Sequence, residues 1–242
     1  MKRTAAARET STGGPFVGHS VSKWGPRAIR GRSRRIVKVI MKLINVPYID
    51  QSDKWPTGCE SVTAVMALNH AGVDISVDDF INGCLDTAGF ETRDGVLYGP
   101  DPNECFVGSP YDRDSFGCYA PAIKKALGRA LPDGYETVDL TGEPMDVLQR
   151  GYLDKDVPVI FWATIDMLDP YDGSSWRLDD GSVFTWRCNE HCLLLVGYDD
   201  GSWIFNDPWA NHGVSRVPRA LAERRHEEMF SMALAVTRRA NP

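Results

Sequence analysis

The hydrophobic pattern of this chain changes its period near the middle, and this change restricts the possible folds more than any other feature. In the first half, apolar residues recur at helical spacing, as Val62, Val65 and Met66 do. In the second half, residues 157–165 and 191–198 are almost continuously apolar, which is typical of buried strands. A helical half followed by an antiparallel β half predicts an α+β fold.

The same patterns predict the individual elements. Helices are expected at residues 59–70, 77–85, 119–131, 143–153 and 218–228, and strands at residues 157–165, 191–198, 202–207 and 230–237. Two Gly- and Asp-rich stretches, residues 86–116 and 166–182, are predicted to be loops. The first is long for a compact domain, and we expect it to form a rim over a cleft.

The composition is that of a globular protein with a basic N-terminal segment. With 242 residues, 43% of them hydrophobic and 25% charged, the chain can form one large domain or two small ones. Residues 1–42 carry eleven Lys or Arg and one acidic residue, although the whole chain has a net charge of −6. We interpret residues 1–38 as a disordered basic arm and residues 39–242 as one domain.

Charge and motifs argue against nucleic acid as a partner. A basic arm can contact nucleic acid or an anionic membrane, but a solvated tail explains it as well. The rest of the chain is acidic and shows neither zinc-finger spacing nor a basic-aromatic sheet pattern. No stretch reaches the roughly 18 uninterrupted apolar residues of a membrane span. Lys38 and Lys42 interrupt residues 36–46, which would make a poor signal-peptide core. We expect no transmembrane segment and a cytoplasmic location by default, with secretion or surface attachment as the alternatives.

Residues 55–62 place Cys59 in the first turn of a predicted helix. Thr57 is expected to cap that helix, Gly58 to allow close approach of another segment, and Glu60 to complement the helix dipole. A thiol at a helix N-terminus has a lowered pKa, because unpaired N–H groups stabilise the thiolate. Cys59 is therefore a candidate nucleophile. The alternative is a buried structural cysteine.

A predicted hairpin places a histidine near a carboxylate. If residues 199–201 form the turn, Tyr198 pairs with Ser202, and His191 becomes a diagonal neighbour of Asp207 on the same face. A carboxylate in that position fixes the tautomer of an imidazole and stabilises its charged form. A shift of one residue would move Asp207 to the opposite face.

Together, these residues make up a set suited to nucleophilic catalysis. A thiol at a helix N-terminus and an imidazole–carboxylate pair are what acyl transfer through a cysteine requires. The developing oxyanion also needs hydrogen-bond donors, which the backbone N–H of Cys59 and the side-chain amide of Gln51 can supply. His212 and His226 are interpreted as solvated side chains, because they lie in polar segments.

The six cysteines do not indicate a metal centre. Residues 188–192 contain two cysteines and a histidine, but no second C-x-x-C pair accompanies them, and adjacent strand residues point to opposite sides. We therefore expect neither a metal nor another cofactor. A disulfide between Cys105 and Cys118 remains open at this stage.

Several segments resemble the peptidase C39-like group of the papain-like cysteine peptidases, in its bacterial stand-alone form. The resemblance covers about residues 40–237 and keeps the order Gln, Cys, His, Asp. The segments that carry it are Val46-Pro47-Tyr48, Gln51, Pro56-Thr57-Gly58-Cys59-Glu60-Ser61, Gly117-Cys118-Tyr119-Ala120-Pro121, Glu190-His191-Cys192-Leu193, Gly197-Tyr198-Asp199 and Asn206-Asp207-Pro208.

This resemblance implies a papain-like fold, in which a helix carrying the nucleophile packs on an antiparallel sheet carrying the histidine. It implies that Cys59 is the nucleophile, that His191 is the general base and later acid, that Asp207 orients His191, and that Gln51 completes the oxyanion hole. The expected partner is a peptide or protein substrate.

The resemblance does not define the substrate. Members of the group that are joined to transporters cleave leader peptides after a double glycine, but this sequence shows no transporter domain or membrane span. Two alternatives to a peptidase remain. One is an acyltransferase, transpeptidase or amidase on the same fold, and the other is a non-catalytic binding module.

Overall fold

A central antiparallel sheet surrounded by helices forms the body of the computed structural model, which describes residues 41–239. The α-helices are α1 Cys59–Ala71, α2 Val77–Cys84, α3 Ala120–Ala130, α4 Met145–Gly151 and α5 Arg219–Glu228. The strands are β1 Lys42–Leu43, β2 Thr87–Ala88, β3 Glu91–Arg93, β4 Val96–Tyr98, β5 Phe106–Val107, β6 Tyr135–Asp139, β7 Val159–Thr164, β8 Tyr171–Arg177, β9 Val183–Cys188, β10 Glu190–Tyr198, β11 Ser202–Asp207, β12 Gly213–Pro218 and β13 Ala233–Arg238. The predicted α+β class is confirmed.

The strands of the central sheet follow the order β12-β11-β10-β7-β13-β6, and β1 pairs with the end of β10. All of these pairings are antiparallel. Every residue of β10 is buried, which explains why its sequence is apolar without alternation. The central position of β10 fixes where His191 lies, because this residue is the second of the strand.

Helix α1 lies in the middle of the core rather than on its surface. It packs against β10, β7 and β13, and against α2 and α3. Its residues 59–68 are all buried. The sequence predicted one apolar face, whereas the structure covers the helix on all sides because α2 and α3 close over it. A helix buried in this way holds the side chains of its first turn in fixed positions.

The start of α1 differs from its predicted form. Gly58 is the N-cap residue, and no side chain from the part of the chain that the structure describes caps the helix. Instead, the Thr57 hydroxyl donates to the carbonyl oxygens of Ser109 and Asp112, at 3.1 and 2.9 Å. A Cβ atom at Gly58 would lie 2.9 Å from the Cβ of Trp55, so the predicted close approach at this glycine is observed. Thr57 thus ties the start of the helix to a distant loop.

The β10–β11 hairpin has a longer turn than predicted and a compensating β-bulge. Tyr198 pairs with Trp203, not with Ser202, whereas Leu195 pairs with Phe205. The extra residue on β10 is Val196, which shifts the register by one. Beyond the bulge the pairing is therefore the predicted one.

The two predicted loops contain strands. Residues 86–116 include β2 to β5, and residues 166–182 include β8. Strands β3, β4, β8 and β9 form a second, four-stranded sheet. These strands are short or largely exposed, so their sequences lack the apolar runs that predicted the central strands. Strands β6 and β12, at the edges of the central sheet, were also not predicted. They are only partly buried, so their sequences lack continuous apolar runs.

Three further expectations concern the chain as a whole. The predicted arm, residues 1–38, lies outside the described residues and stays a prediction. Among the helices of residues 41–239, none combines the length and the hydropathy that a bilayer span requires. All six cysteines are free thiols, so Cys105 and Cys118 do not form a disulfide.

Candidate active site

A cleft of about 360 Å³ opens at the N-terminal end of α1. Its wall contains three of the four predicted site residues, namely Gln51, Cys59 and His191. The other lining residues are Pro56, Thr57, Arg113, Ser115, Phe116, Ile165, Trp186, Cys188, Asn189, Glu190 and Trp209. Residues 113–116 belong to the stretch 86–116, which was predicted to form a rim over a cleft.

The imidazole of His191 is bonded to the carboxylate of Asp207, the fourth predicted residue. His191 Nε2 lies 2.7 Å from Asp207 Oδ1, and both side chains are buried. Burial alone would raise the pKa of Asp207, but hydrogen bonds from His191, His212 and the Trp209 backbone N–H lower it below its usual value. Asp207 is therefore ionised at neutral pH. Because Nε2 is engaged, Nδ1 is the ring nitrogen of His191 left for other chemistry.

A second histidine contacts the same carboxylate. His212 Nδ1 lies 3.0 Å from Asp207 Oδ2, and His212 is otherwise exposed to solvent. The predicted position of His212 in a loop, exposed to solvent, is confirmed, but its contact with Asp207 was not predicted. The loop between β11 and β12 folds back and brings residue 212 beside residue 207, a local return that hydrophobic patterns do not reveal.

Gln51 is held from several directions beside the cleft. Its backbone N–H donates to the carbonyl of Pro208, at 3.0 Å, and its carbonyl accepts from Trp55 N at 2.8 Å. The side-chain Nε2 donates to Pro56 O at 3.1 Å, while the buried Oε1 has no hydrogen-bond partner within residues 41–239. Since a carbonyl can only accept, this bond orients the amide, and its second N–H remains available.

The Cys59 thiol lies in a more acidic setting than the sequence indicated. Its Sγ is 3.3 Å from Glu60 Oε2 and donates to it, and among the described residues no hydrogen bond joins it to His191. Burial raises the pKa of Cys59 well above its usual value, and the carboxyl groups of Glu60 and Glu190 raise it further. The predicted lowering of this pKa was wrong, because the first turn of α1 is buried and faces carboxyl groups instead of solvent.

Glu60 and Glu190 form a buried carboxyl pair that sequence reasoning missed. Glu60 Oε1 accepts from the backbone N–H of Cys118 at 2.5 Å. Burial is the main cause that raises the pKa of both groups. A Cβ atom at Gly117 would lie 2.6 Å from Glu60 Oε1 and 3.1 Å from Glu190 Oε2, so glycine leaves room for the pair. A signal existed, because Glu60 directly follows Cys59 in a predicted helix and Glu190 directly precedes His191 at the start of a predicted buried strand.

A buried helix packed on an antiparallel sheet in this arrangement is the architecture of C39-like peptidases. The chain belongs to the Peptidase_C39 like family, whose profile matches residues 43–233. The C39-like family and the packing of a helix on an antiparallel sheet, both implied by the sequence resemblance, are therefore confirmed.

Two known proteins are similar to this chain at nearly the same sequence identity. The uncharacterized protein YvpB of Bacillus subtilis (strain 168) is 28% identical over 206 residues, which are 84% of this chain and 79% of YvpB. A crystal structure of a provisionally assigned C39-like peptidase from Bacillus anthracis is 29% identical, with a TM-score of 0.71. The match covers 83% of this chain and 99% of that one.

A third structure is more distant. It is a double glycine motif protease from an AMS/PCAT transporter in complex with the leader peptide. The identity is 16% and the TM-score 0.46, over 82% of this chain and 95% of that one.

Proposed function

We propose that this protein is a cysteine peptidase of the papain-like type, which cleaves peptide bonds through an acyl-enzyme on Cys59. The observation that carries the proposal is the buried hydrogen bond between His191 and Asp207, at the wall of the cleft that Cys59 also lines. Membership in the Peptidase_C39 like family supports it.

The first step transfers the thiol proton. The raised pKa keeps Cys59 protonated at rest, with its proton on the hydrogen bond to Glu60 Oε2. When a substrate binds, the thiol exchanges this partner for His191 Nδ1, which takes the proton as sulfur attacks the carbonyl carbon. The ionised Asp207 stabilises the imidazolium that forms.

The second half of the reaction returns the proton. The backbone N–H of Cys59 and the free N–H of Gln51 stabilise the oxyanion of the tetrahedral intermediate. His191 donates its proton to the leaving amine as the C–N bond breaks, which leaves a thioester on Cys59. His191 then deprotonates a water molecule, whose attack on the thioester releases the acid and restores the thiol.

The decisive experiment is cleavage of a peptide library by the wild-type protein beside Cys59→Ala. We expect the variant to lose cleavage, with at least about a thousandfold lower kcat/KM, because no other group can carry the acyl intermediate. Cys105→Ala is the matched control, since Cys105 is a half-buried thiol outside the cleft lining. Equal cleavage by wild type and Cys59→Ala would overturn the proposal.

The same assay separates an acyltransferase from a peptidase. Products formed with and without an added amine nucleophile are compared by mass. Incorporation of the amine in preference to water would assign the enzyme to acyl transfer, since both reactions share the acyl-enzyme.

One observation favours a non-catalytic binding module as the second candidate, namely the bond from the Cys59 thiol to Glu60 in place of His191. Alkylation of Cys59 as a function of pH tests it. A catalytic thiol, whose proton His191 accepts when a ligand enters the cleft, reacts near neutral pH much faster than Cys118 with a peptide-like alkylating agent, whereas a structural one reacts as slowly as Cys118, which is also buried.

A further inference from the structure

A thiol and two carboxyl groups lie close together beside the cleft. One ligand atom each from Cys59, Glu60 and Glu190 lies within 4.8 Å of the others, and all three residues are buried. Among residues 41–239, neither glutamate forms an ion pair with Lys, Arg or His within 4.0 Å. Buried carboxyl groups this close cannot both ionise unless a positive charge joins them.

A separate observation at this position is an unpartnered carboxyl oxygen. Glu190 is only 7% exposed, and among the described residues its Oε1 atom has no hydrogen-bond partner. A buried carboxyl oxygen without a partner is costly, and such an atom calls for a proton donor, a water molecule or an ion. The cleft supplies an entrance, because both Cys59 and Glu190 line it.

The donor set selects the class of ion. One thiolate and two carboxylates suit a thiophilic divalent cation with tetrahedral geometry, as Zn²⁺ prefers. Mg²⁺ and Ca²⁺ require more oxygen ligands and do not favour sulfur. The fourth coordination position would face the cleft, where a water molecule can fill it.

We propose that Cys59, Glu60 and Glu190 form a binding site for a Zn²⁺-like cation, although the sequence predicted no metal site. Binding forms one Sγ–metal and two carboxylate–metal bonds, and it releases to solvent the thiol proton and any carboxyl proton. A cation held there occupies the sulfur that the proposed reaction needs as its nucleophile. If the proposed function holds, this cation is a reversible inhibitor. The binding itself does not depend on that function.

Binding is tested with Co²⁺ as a spectroscopic probe and Zn²⁺ as its competitor, on the full chain. We expect one Co²⁺ per chain, a thiolate-to-cobalt charge-transfer band, and displacement by Zn²⁺. Cys59→Ser should abolish the band, and Glu190→Gln should weaken affinity by at least about tenfold. Glu143→Gln, an exposed carboxyl outside the cluster, is the control and should bind as wild type does.

Two outcomes would overturn the site. One is wild-type affinity in Glu190→Gln. The other is lost binding in His191→Gln with retention in Glu190→Gln, which would assign the cation to a Cys–His pair. If Glu190→Gln does not fold by circular dichroism, Glu60→Gln replaces it with the same expectation.

Peptide cleavage is then measured with added Zn²⁺ and after chelation. Inhibition that chelation reverses, and that Glu190→Gln weakens, supports the inhibitory consequence. Stoichiometric binding in a protein that cleaves no peptide would overturn the proposed function and leave the metal site standing. Peptide cleavage by a protein that binds no metal would overturn the metal site and leave the proposed function standing.

Discussion

At the scale of single residues, Asp207 accepts hydrogen bonds from two imidazole rings and a backbone N–H group. Oδ1 contacts His191 at 2.7 Å and Trp209 N at 3.0 Å, and Oδ2 contacts His212 at 3.0 Å. These bonds fix the carboxylate in one orientation, which in turn fixes the ring of His191. The sequence identified the first contact but not the second, since His212 reaches the carboxylate only through a folded loop.

Asp207→Asn should lower kcat/KM for the peptide found by library screening by about 10²–10⁴-fold, because an amide cannot stabilise the imidazolium of His191 and favours the wrong tautomer. His212→Gln is the comparison, because it removes the other imidazole and leaves the bond between His191 and Asp207 intact. We expect less than about a tenfold loss there. Equal losses in the two variants would contradict the assignment of His191 as the base.

At the scale of elements, the bulge at Val196 decides which side of the sheet carries Asp207. Near the turn, Tyr198 pairs with Trp203, and this register continued along β10 would place Asp207 on the face opposite to His191. The extra residue restores the pairing of Leu194 with Asn206. The side chains of His191 and Asp207 therefore lie on the same face of the sheet. The prediction of the contact was therefore right, although the turn from which it was argued was one residue too short.

The bulge lies beside a close approach that only glycine permits. A Cβ atom at Gly197 would lie 2.1 Å from the carbonyl oxygen of Lys42, on the adjoining strand β1. Gly197→Ala should therefore lower the free energy of unfolding by about 1–3 kcal/mol, since backbone must move to accept the methyl group.

Gly128→Ala is the control for Gly197→Ala, with a stability change expected in the opposite direction. Gly128 lies within α3, and a Cβ atom added there would meet no neighbouring group within 4 Å, so alanine should stabilise the protein by about 0.5–1 kcal/mol. Urea unfolding of the two variants beside wild type measures both effects. Similar stability of the two variants would contradict the packing argument.

At the scale of the whole molecule, α5 is joined to the central sheet through a buried histidine. The His226 ring stacks on Phe161 at 3.9 Å, and its Nδ1 donates to the carbonyl of Trp162 at 2.8 Å. The charged run 223–228 predicted a solvated His226, and this prediction was wrong. Burial lowers the pKa of His226 to about 4.

This histidine should make the stability of the fold depend on pH. In the unfolded chain its pKa is about 6.5, so between about pH 6.5 and pH 4 the unfolded state binds a proton that the folded state does not. The free energy of unfolding should therefore fall as the pH falls through this window, by up to about 3 kcal/mol.

Urea unfolding at several pH values between 4 and 7 measures the effect. His226→Gln removes the titrating group and should show a shallower decline than wild type, whatever its stability at pH 7. Parallel curves for the two proteins would contradict the assignment to His226, because carboxyl groups titrate equally in both.

Local patterns in the sequence determined much of this protein. Continuous apolar runs indicate β7 and β10, the helical spacing of apolar residues indicates α1, and ordered motifs around Gln51, Cys59, His191 and Asp207 indicate the family. These features are readable because they depend on residues that are neighbours along the chain.

Other features of the fold and of the site depend on tertiary packing and could not be predicted. The second sheet, the bulge at Val196, the buried Glu60–Glu190 pair and the raised pKa of Cys59 all depend on segments that are far apart in sequence. A carboxyl group or a thiol takes its chemistry from the groups packed against it and from its exclusion from water. The sequence therefore indicated that Gln51, Cys59 and His191 meet at the cleft, and the packing of distant segments around them decided their protonation states.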